Sequence, residues 1–319
     1  MGVSRPPSPF LKWAGGKARL APVVLGRAPE RFGRYHEPFL GGGAVFFAFA
    51  GAGRAPAPHL SDANPALISC YRSVRDDPEG VIAALETLET RYLALGTDER
   101  AGCYYEVRAA RPEGAAANAA RLIFLNRTGY NGLYRENSRG EFNVPHGRYV
   151  RPRILDRDGL RAASRALAGA TLCAGDFEQG AAAATAGDFI YLDPPRAAGG
   201  EAGGAGGAAG GGCYPRRPPP YQPLTATARF TAYTRSAFGE PEQERLRDAF
   251  ERLTRAGVAA LLSNSDHERI RDLYGERGFG FETVLMSRAI NSVGSGRAPI
   301  PELLIDNFRR PEGRAAMGR

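Results

Sequence analysis

"RYHEPFLGGGAVFF", residues 34–47, carries the reading of the fold. Tyr35-His36-Glu37 reads as a strand end. Pro38 closes it, because proline cannot donate to a sheet ladder. Gly41, Gly42 and Gly43 follow, and glycine both reaches torsions barred to other residues and lets a ligand approach the backbone. Ala44-Val45-Phe46-Phe47 then opens a buried helix. "HLSD" at 59–62 reads as a second strand end. A strand, a glycine turn, a helix and a second strand closed by an acid form a nucleoside-binding crevice in a doubly wound α/β sheet. The glycines lack the G-x-G-x-x-G spacing, so dinucleotide binding is not indicated. "AGGK" at 14–17 is not a phosphate loop: no glycine stands at the required distance upstream, and Ala18 replaces the needed Ser or Thr.

The length, 319 residues with 43% apolar, fits one large α/β domain or one carrying a smaller insert. Residues 65–120 place apolar side chains at helical spacing, as in Val81, Leu85, Leu88 and Tyr92. Residues 121–149, "RLIFLNRTGYNGLYRENSRGEFNVPHGRY", are instead dense in Arg, Asn, Gly and Tyr. Extended to Arg153, this stretch holds seven Arg against two acids. Such residues on glycine-rich loops suit phosphates and base edges. From 163 the α/β pattern resumes. Strands are predicted ending at Asp176-Phe177, over "DFIYLDPP" (188–195), over 258–266 and over 301–308, with an amphipathic helix over 240–253. Asp193-Pro194-Pro195 puts an acid and two prolines at the tip of a buried strand, which marks a site. Residues 196–220, "RAAGGEAGGAGGAAGGGCYPRRPPP", are low-complexity and bury too little apolar surface to fold alone.

Other classes are excluded. No run of eighteen apolar residues predicts a membrane span, and the N-terminal stretch has no apolar signal region. Arg5-Pro6 stands where myristoylation needs Ser or Thr. Four dispersed cysteines, without CxxC or His pairing, predict reduced thiols and no metal site. The net charge of +8 is compatible with a polyanionic partner. Its texture says more: 40 of 42 cations are Arg, and the two Lys, Lys12 and Lys17, flank the single Trp, Trp13. Lys is a compact point charge where Arg is a wide fork, so this heptapeptide reads as a place that Arg does not fit.

Several long motifs then stand in one order. "FLKWAGGK" (10–17) is similar to an N-terminal cofactor motif, "EPFLGGGAVFF" (37–47) to a glycine-rich motif and "LSDANPALI" (60–68) to an acidic second motif. "NRTGYNGLYRENSRGEFNVPHGRY" (126–149) is similar to a recognition loop and hairpin, and "FTAYTRSAFGEPEQERL" (230–246) to the segment after a catalytic motif. By these the chain resembles the Dam-type family of DNA adenine-N6 methyltransferases (D12 class, group α), over nearly all of its length outside 196–220. The resemblance implies a Rossmann-like doubly wound mixed sheet of the S-adenosylmethionine-dependent methyltransferase type, with an inserted, mainly helical target-recognition domain. Residues 1–66 and 158–319 would form the catalytic domain and 67–157 the recognition domain. It implies S-adenosylmethionine as donor, double-stranded DNA as partner, no metal, and a cytoplasmic, nucleoid-associated setting in a bacterial or phage-like context. It leaves room for a cognate restriction endonuclease.

The implied cofactor positions are Trp13, Lys17, Glu37, Phe39, Gly41, Gly43, Asp62, Asp176, Phe177 and Asp193. Asp62 would accept from the ribose hydroxyls, Trp13 would wall in the donor, Lys17 would meet its carboxylate, and Asp176 and Phe177 would lie at its adenine end. The implied DNA contacts are Arg127, Tyr130, Asn131, Leu133, Arg135, Asn137, Pro145 and Arg148. Arg135 is the candidate for bidentate contact to guanine, and GATC is the target expected. The family's catalytic motif is Asp-Pro-Pro-Tyr, filled here by Asp193, Pro194 and Pro195, with Arg196 in the fourth position. "PPYQPLTATARFTAYT" from Pro219 restores the pattern as though Tyr221 followed Pro195 directly. The simplest account is an insertion of residues 196–220 inside the motif, with Tyr221 as the stacking residue; Arg196 and Tyr214 are the other candidates. The alternative is a catalytically impaired protein that binds DNA and cofactor.

Overall fold

The computed structural model describes residues 5–137, 139–195, 238–275, 277–286 and 300–308. Seven strands form one sheet in the order β3-β2-β1-β4-β5-β7-β6. They are β1 (Tyr35–Glu37), β2 (His59–Asp62), β3 (Thr171–Ala174), β4 (Phe189–Leu192), β5 (Ala259–Ser265), β6 (Gly280–Met286) and β7 (Ile300–Asp306). The first five run parallel, and β7 is antiparallel to both β5 and β6. The order reverses between β1 and β4, and crevices for ligands form outside the carboxyl ends of strands at such a switch point.

Period-two alternation divides the central strands between two faces. Phe189 and Tyr191 of β4 enter one core, together with Leu261 of β5 and Leu304 of β7. Ile190 and Leu192 of β4, Leu262 of β5 and Ile305 of β7 enter the other. Strands buried on both faces read as continuous apolar runs, which is why β4, β5 and β7 are legible. The second core is closed by α9 (Glu240–Arg255), whose Leu246, Phe250 and Leu253 form the expected stripe, and by α10 (Glu268–Gly275). The first is closed by α1 (Ala21–Arg27), α2 (Ala44–Gly51), α3 (Pro65–Asp76) and α7 (Arg157–Leu167).

Three helices, α4 (Pro78–Leu93), α5 (Arg100–Ala109) and α6 (Ala115–Thr128), are inserted between β2 and β3 and share the first core. Side-chain caps start the helices around them: Asn64 accepts from Leu67 N at α3, Asp77 from Gly80 N at α4, and Asp156 from Gly159 N at α7. α3 crosses the boundary drawn at residue 66/67 and packs on β2 and β3. No described helix is long and apolar enough to cross a membrane.

Three elements differ from the sequence reading. The strand expected to end at Asp176-Phe177 ends at Ala174; Asp176 instead accepts from Glu178 N and caps α8 (Phe177–Ala182). Asp suits a cap better than a strand end, because its carboxylate competes for local N–H groups. α6 runs on to Thr128, so Arg121, Asn126 and Arg127 are helical. The edge strand β6 has no clean alternation of buried and exposed residues, and nothing in its sequence marks it.

Candidate active site

A cleft of about 1130 Å³ opens where β1, β2 and β4 end. Gly41 and Gly43 hold φ values of 48° and 67° in the turn before α2. A Cβ on Gly41 would stand 2.8 Å from the Trp13 ring, so glycine is required there twice over. Asp62 is fastened beneath this turn: Oδ2 accepts from Gly41 N and Oδ1 from Asn64 N, each at 2.9 Å. Burial raises its pKa, and these two N–H bonds oppose the rise. Each oxygen keeps a further lone pair for a hydroxyl.

Beyond Asp62 the cleft has an aromatic wall. Phe39 stacks on Phe177 at 5.2 Å and 23°, and Phe238 meets Phe39 edge-on at 5.9 Å. The Arg245 guanidinium lies 5.0 Å above the Phe177 ring and donates to Asp176 Oδ1 at 2.9 Å. Phe238 and Arg245 were not singled out in the sequence, since nothing in their spacing ties them to the glycine turn.

At the switch point two acids face the cleft. Glu37 is 2% exposed and accepts from Tyr35 OH at 2.6 Å. Burial pushes its pKa up to about 8, with the charges of Asp193 and Asp62 adding to the rise and the Tyr35 bond opposing it. Asp193 follows β4. Its Oδ1 meets Lys17 Nζ at 2.9 Å and accepts from Ser263 Oγ at 3.0 Å, and Ser263 Oγ lies 2.8 Å from Tyr191 OH. Burial raises the Asp193 pKa, Lys17 pulls it down, and Glu302 raises it. Lys17 also donates to Glu302 Oε1 at 2.7 Å. Lys17 therefore sits between two carboxylates in this structure while still lining the cleft. Ser263 and Glu302 were missed, because a Ser in a buried strand and a Glu at the start of another carry no motif. Pro194 and Pro195 line the cleft beside Asp193. Tyr221, like Arg196 and Tyr214, lies outside the described residues.

The arginine-rich segment divides. Tyr130, Asn131 and Leu133 line the same cleft as Asp62 and Asp193, joined by Glu136 and Arg139, which were not singled out. Tyr130 is 50% exposed, and Asn131 sits at φ 53°. The loop is held by Tyr130 N donating to Pro145 O at 2.9 Å. The other expected DNA contacts do not line the cleft. Arg127 is turned inward, its Nε and Nη2 both donating to Phe10 O, so α6 spends this guanidinium on anchoring the N-terminal motif. Arg135 donates to Asn143 Oδ1 at 2.6 Å and to Asn143 O at 3.1 Å. Asn137 forms a turn, its Oδ1 accepting from Arg139 N and Glu141 N. Arg148 is exposed at φ 52°.

Two contacts tie this segment to the N-terminal motif, which packs on the glycine turn. Trp13, packed on Gly41 and Gly42, stacks on Tyr134 at 5.7 Å and 28°. Asn126 accepts from Lys12 N at 2.7 Å and donates to Lys12 O at 2.8 Å and Gly132 O at 3.0 Å. Asn126 reads in sequence as an accidental glycosylation sequon, and its structural role has no local signal.

The chain matches the family described as D12 class N6 adenine-specific DNA methyltransferase over residues 13–198 and 219–290. The match breaks within the low-complexity stretch and resumes two residues before Tyr221. Among curated relatives, the chain is 35% identical over 313 residues to the type II methyltransferase M.MjaIII of Methanocaldococcus jannaschii, covering 94% of this chain and 99% of that one. It is 34% identical over 307 residues to the type II methyltransferase M1.LlaDCHI of Lactococcus lactis subsp. cremoris, covering 94% and 95%. It is 31% identical over 297 residues to the DNA adenine methylase of Escherichia coli K12, covering 92% and 93%. With motifs, sheet order and full-length similarity in agreement, the chain belongs to the D12 class of N6 adenine-specific DNA methyltransferases.

Proposed function

We propose that this DNA adenine methyltransferase takes its methyl group from S-adenosylmethionine and places it on adenine N6 in duplex DNA, within GATC. The observation that carries the reading is one cleft in which an aromatic wall, a ribose-directed carboxylate, the Asp193-Pro194-Pro195 tip and the recognition residues Tyr130, Asn131 and Leu133 all face the same space. The donor set fits the proposed cofactor. Asp62 offers two acceptors to vicinal hydroxyls, the wall of Phe39 and Phe177 offers apolar contact to an adenine, and Asp193 supplies negative charge for a sulfonium while the protonated Glu37 offers a polar carboxyl beside it. When bound, that donor supplies an already activated methyl group.

The chain's task is then positioning. The adenine amine is a poor nucleophile because its lone pair is delocalised into the ring. Asp193 and the carbonyl of Pro194 accept the two N6 hydrogens and draw the nitrogen toward tetrahedral geometry. The contacts of Lys17 and Ser263 both fall on Oδ1 of Asp193, so Oδ2 is the oxygen assigned to the amine. The target base must leave the duplex and stack on a side chain, and Tyr221 is the residue we assign to that face. Loop closure grows only logarithmically with length, so a 25-residue detour (196–220) between Pro195 and Tyr221 is affordable. The break in the family match at this place favours one second reading, a protein that binds DNA and donor without turnover.

Comparing initial transfer rates on GATC duplexes, on duplexes with the site permuted, and with Tyr221→Ala tests the assignment. Transfer confined to GATC and reduced at least about tenfold by Tyr221→Ala is expected. Equal transfer to permuted duplexes would remove the GATC assignment. An unaffected Tyr221→Ala rate would pass the stacking role to Arg196 or Tyr214.

A further inference from the structure

We propose that Glu302 is a positioning residue for methyl transfer: it seats the Lys17 ammonium between itself and Asp193, so that Asp193 is steadied by a shared cation while one of its oxygens stays available to the target amine. The inference rests on the accepting role given to Asp193 above.

Glu302 is 2% exposed, lies on β7, and pairs across the sheet with Ser265 of β5 and Val284 of β6. It meets Lys17 across 285 residues of sequence. A carboxylate this buried needs a charged or hydrogen-bonded partner, and Lys17 Nζ at 2.7 Å is one. The same nitrogen is 2.9 Å from Asp193 Oδ1, where Ser263 Oγ also donates. One ammonium thus serves two carboxylates. Facing Asp193 alone it would pair with it fully and compete with the amine for its lone pairs; shared with Glu302, it holds Oδ1 without monopolising the group. The arrangement also accounts for lysine at this one of the chain's two lysine positions: a point charge fits between two acids where a planar fork would not. Among the described residues, the groups facing Asp193 are Lys17, Glu302, Ser263, Tyr191 and Glu37. Removing the Glu302 charge leaves Lys17 to Asp193 and favours its ionised form.

The test is methyl transfer by the full chain carrying Glu302→Gln, Lys17→Met or both, on GATC duplexes across pH. Glu302→Gln is expected to lower kcat by roughly tenfold or more while both KM values stay within about threefold. The acid limb of its kcat profile should move to lower pH, and its effect should largely vanish in the Lys17→Met background. Glu302→Asp, which keeps the charge on a shorter stem, is expected to lose rate but retain the parental acid limb. Parental kcat in Glu302→Gln, an unmoved acid limb, or an unchanged effect in the Lys17→Met background would overturn the proposal and leave the proposed function standing. So would an acid limb in Glu302→Asp that moves as far as in Glu302→Gln. No transfer by the parent chain would overturn both.

Discussion

Glu37 carries the clearest single-residue consequence. Its carboxyl ionises near pH 4.5 in the unfolded chain and near 8 when folded. Below 4.5 both states hold the proton. Between 4.5 and 8 the unfolded state releases it and the folded state does not, so this group's contribution to stability falls as pH rises through that window and levels off above it. Glu37→Gln removes the penalty. It is expected to match the parent at pH 4 and exceed it by a few kcal/mol near pH 8.5, as read by urea denaturation. A variant less stable than the parent at high pH would show that Glu37 is ionised in the fold. The sequence offered Glu37 as a cofactor position but not its protonation, because burial is a property of the assembled sheet. The same holds for Lys17. Its oddity was legible as one of two lysines among forty arginines, whereas its partner Glu302 was not, since only the antiparallel return of β7 brings them together.

At the scale of elements, the helix α6 decides how the arginine-rich segment is mounted. Its last turns looked like part of a basic loop. Residues 121–128 are instead helical, with Leu122, Ile123, Phe124 and Leu125 buried, and Asn126 and Arg127 grip the N-terminal motif from this helix. Asn126→Ala would leave Lys12 N–H and the carbonyls of Lys12 and Gly132 without this partner. A loss of roughly 2–4 kcal/mol is expected by urea denaturation, with a larger rise in KM for DNA than for the donor. An unchanged stability would mean that water replaces the amide and that the clamp is incidental. The strands β4 and β5 and the stripe of α9 were legible because double-sided burial and helical spacing leave a local pattern. β6 was not, because a half-exposed edge strand leaves none.

For the whole molecule, the strand order brings the acid at the end of β2 and the acid at the end of β4 to either side of one switch point, while the segment inserted between β2 and β3 carries Tyr130, Asn131 and Leu133 to the same cleft. Of the DNA contacts read from the sequence, Tyr130, Asn131 and Leu133 face that cleft, and Arg127 serves the scaffold instead. Side-chain direction, which sequence spacing does not reveal, makes that division. With a net charge of +8, DNA affinity should fall steeply with salt. Fluorescence anisotropy from 50 to 200 mM salt is expected to show a loss of at least about tenfold, and a flat response would place the basic side chains away from the phosphates. The central claim is that Asp193, followed by an interrupted motif, still serves catalysis. The direct measurement is transfer from labelled S-adenosylmethionine to unmethylated GATC duplex, read as N6-methyladenine by mass spectrometry, for the parent and Asp193→Ala side by side. Methyladenine formed by the parent and reduced at least about a hundredfold in Asp193→Ala at saturating donor, with DNA binding intact, is the expected result. Intact binding without methyladenine in the parent, or an Asp193→Ala protein as active as the parent, would contradict it.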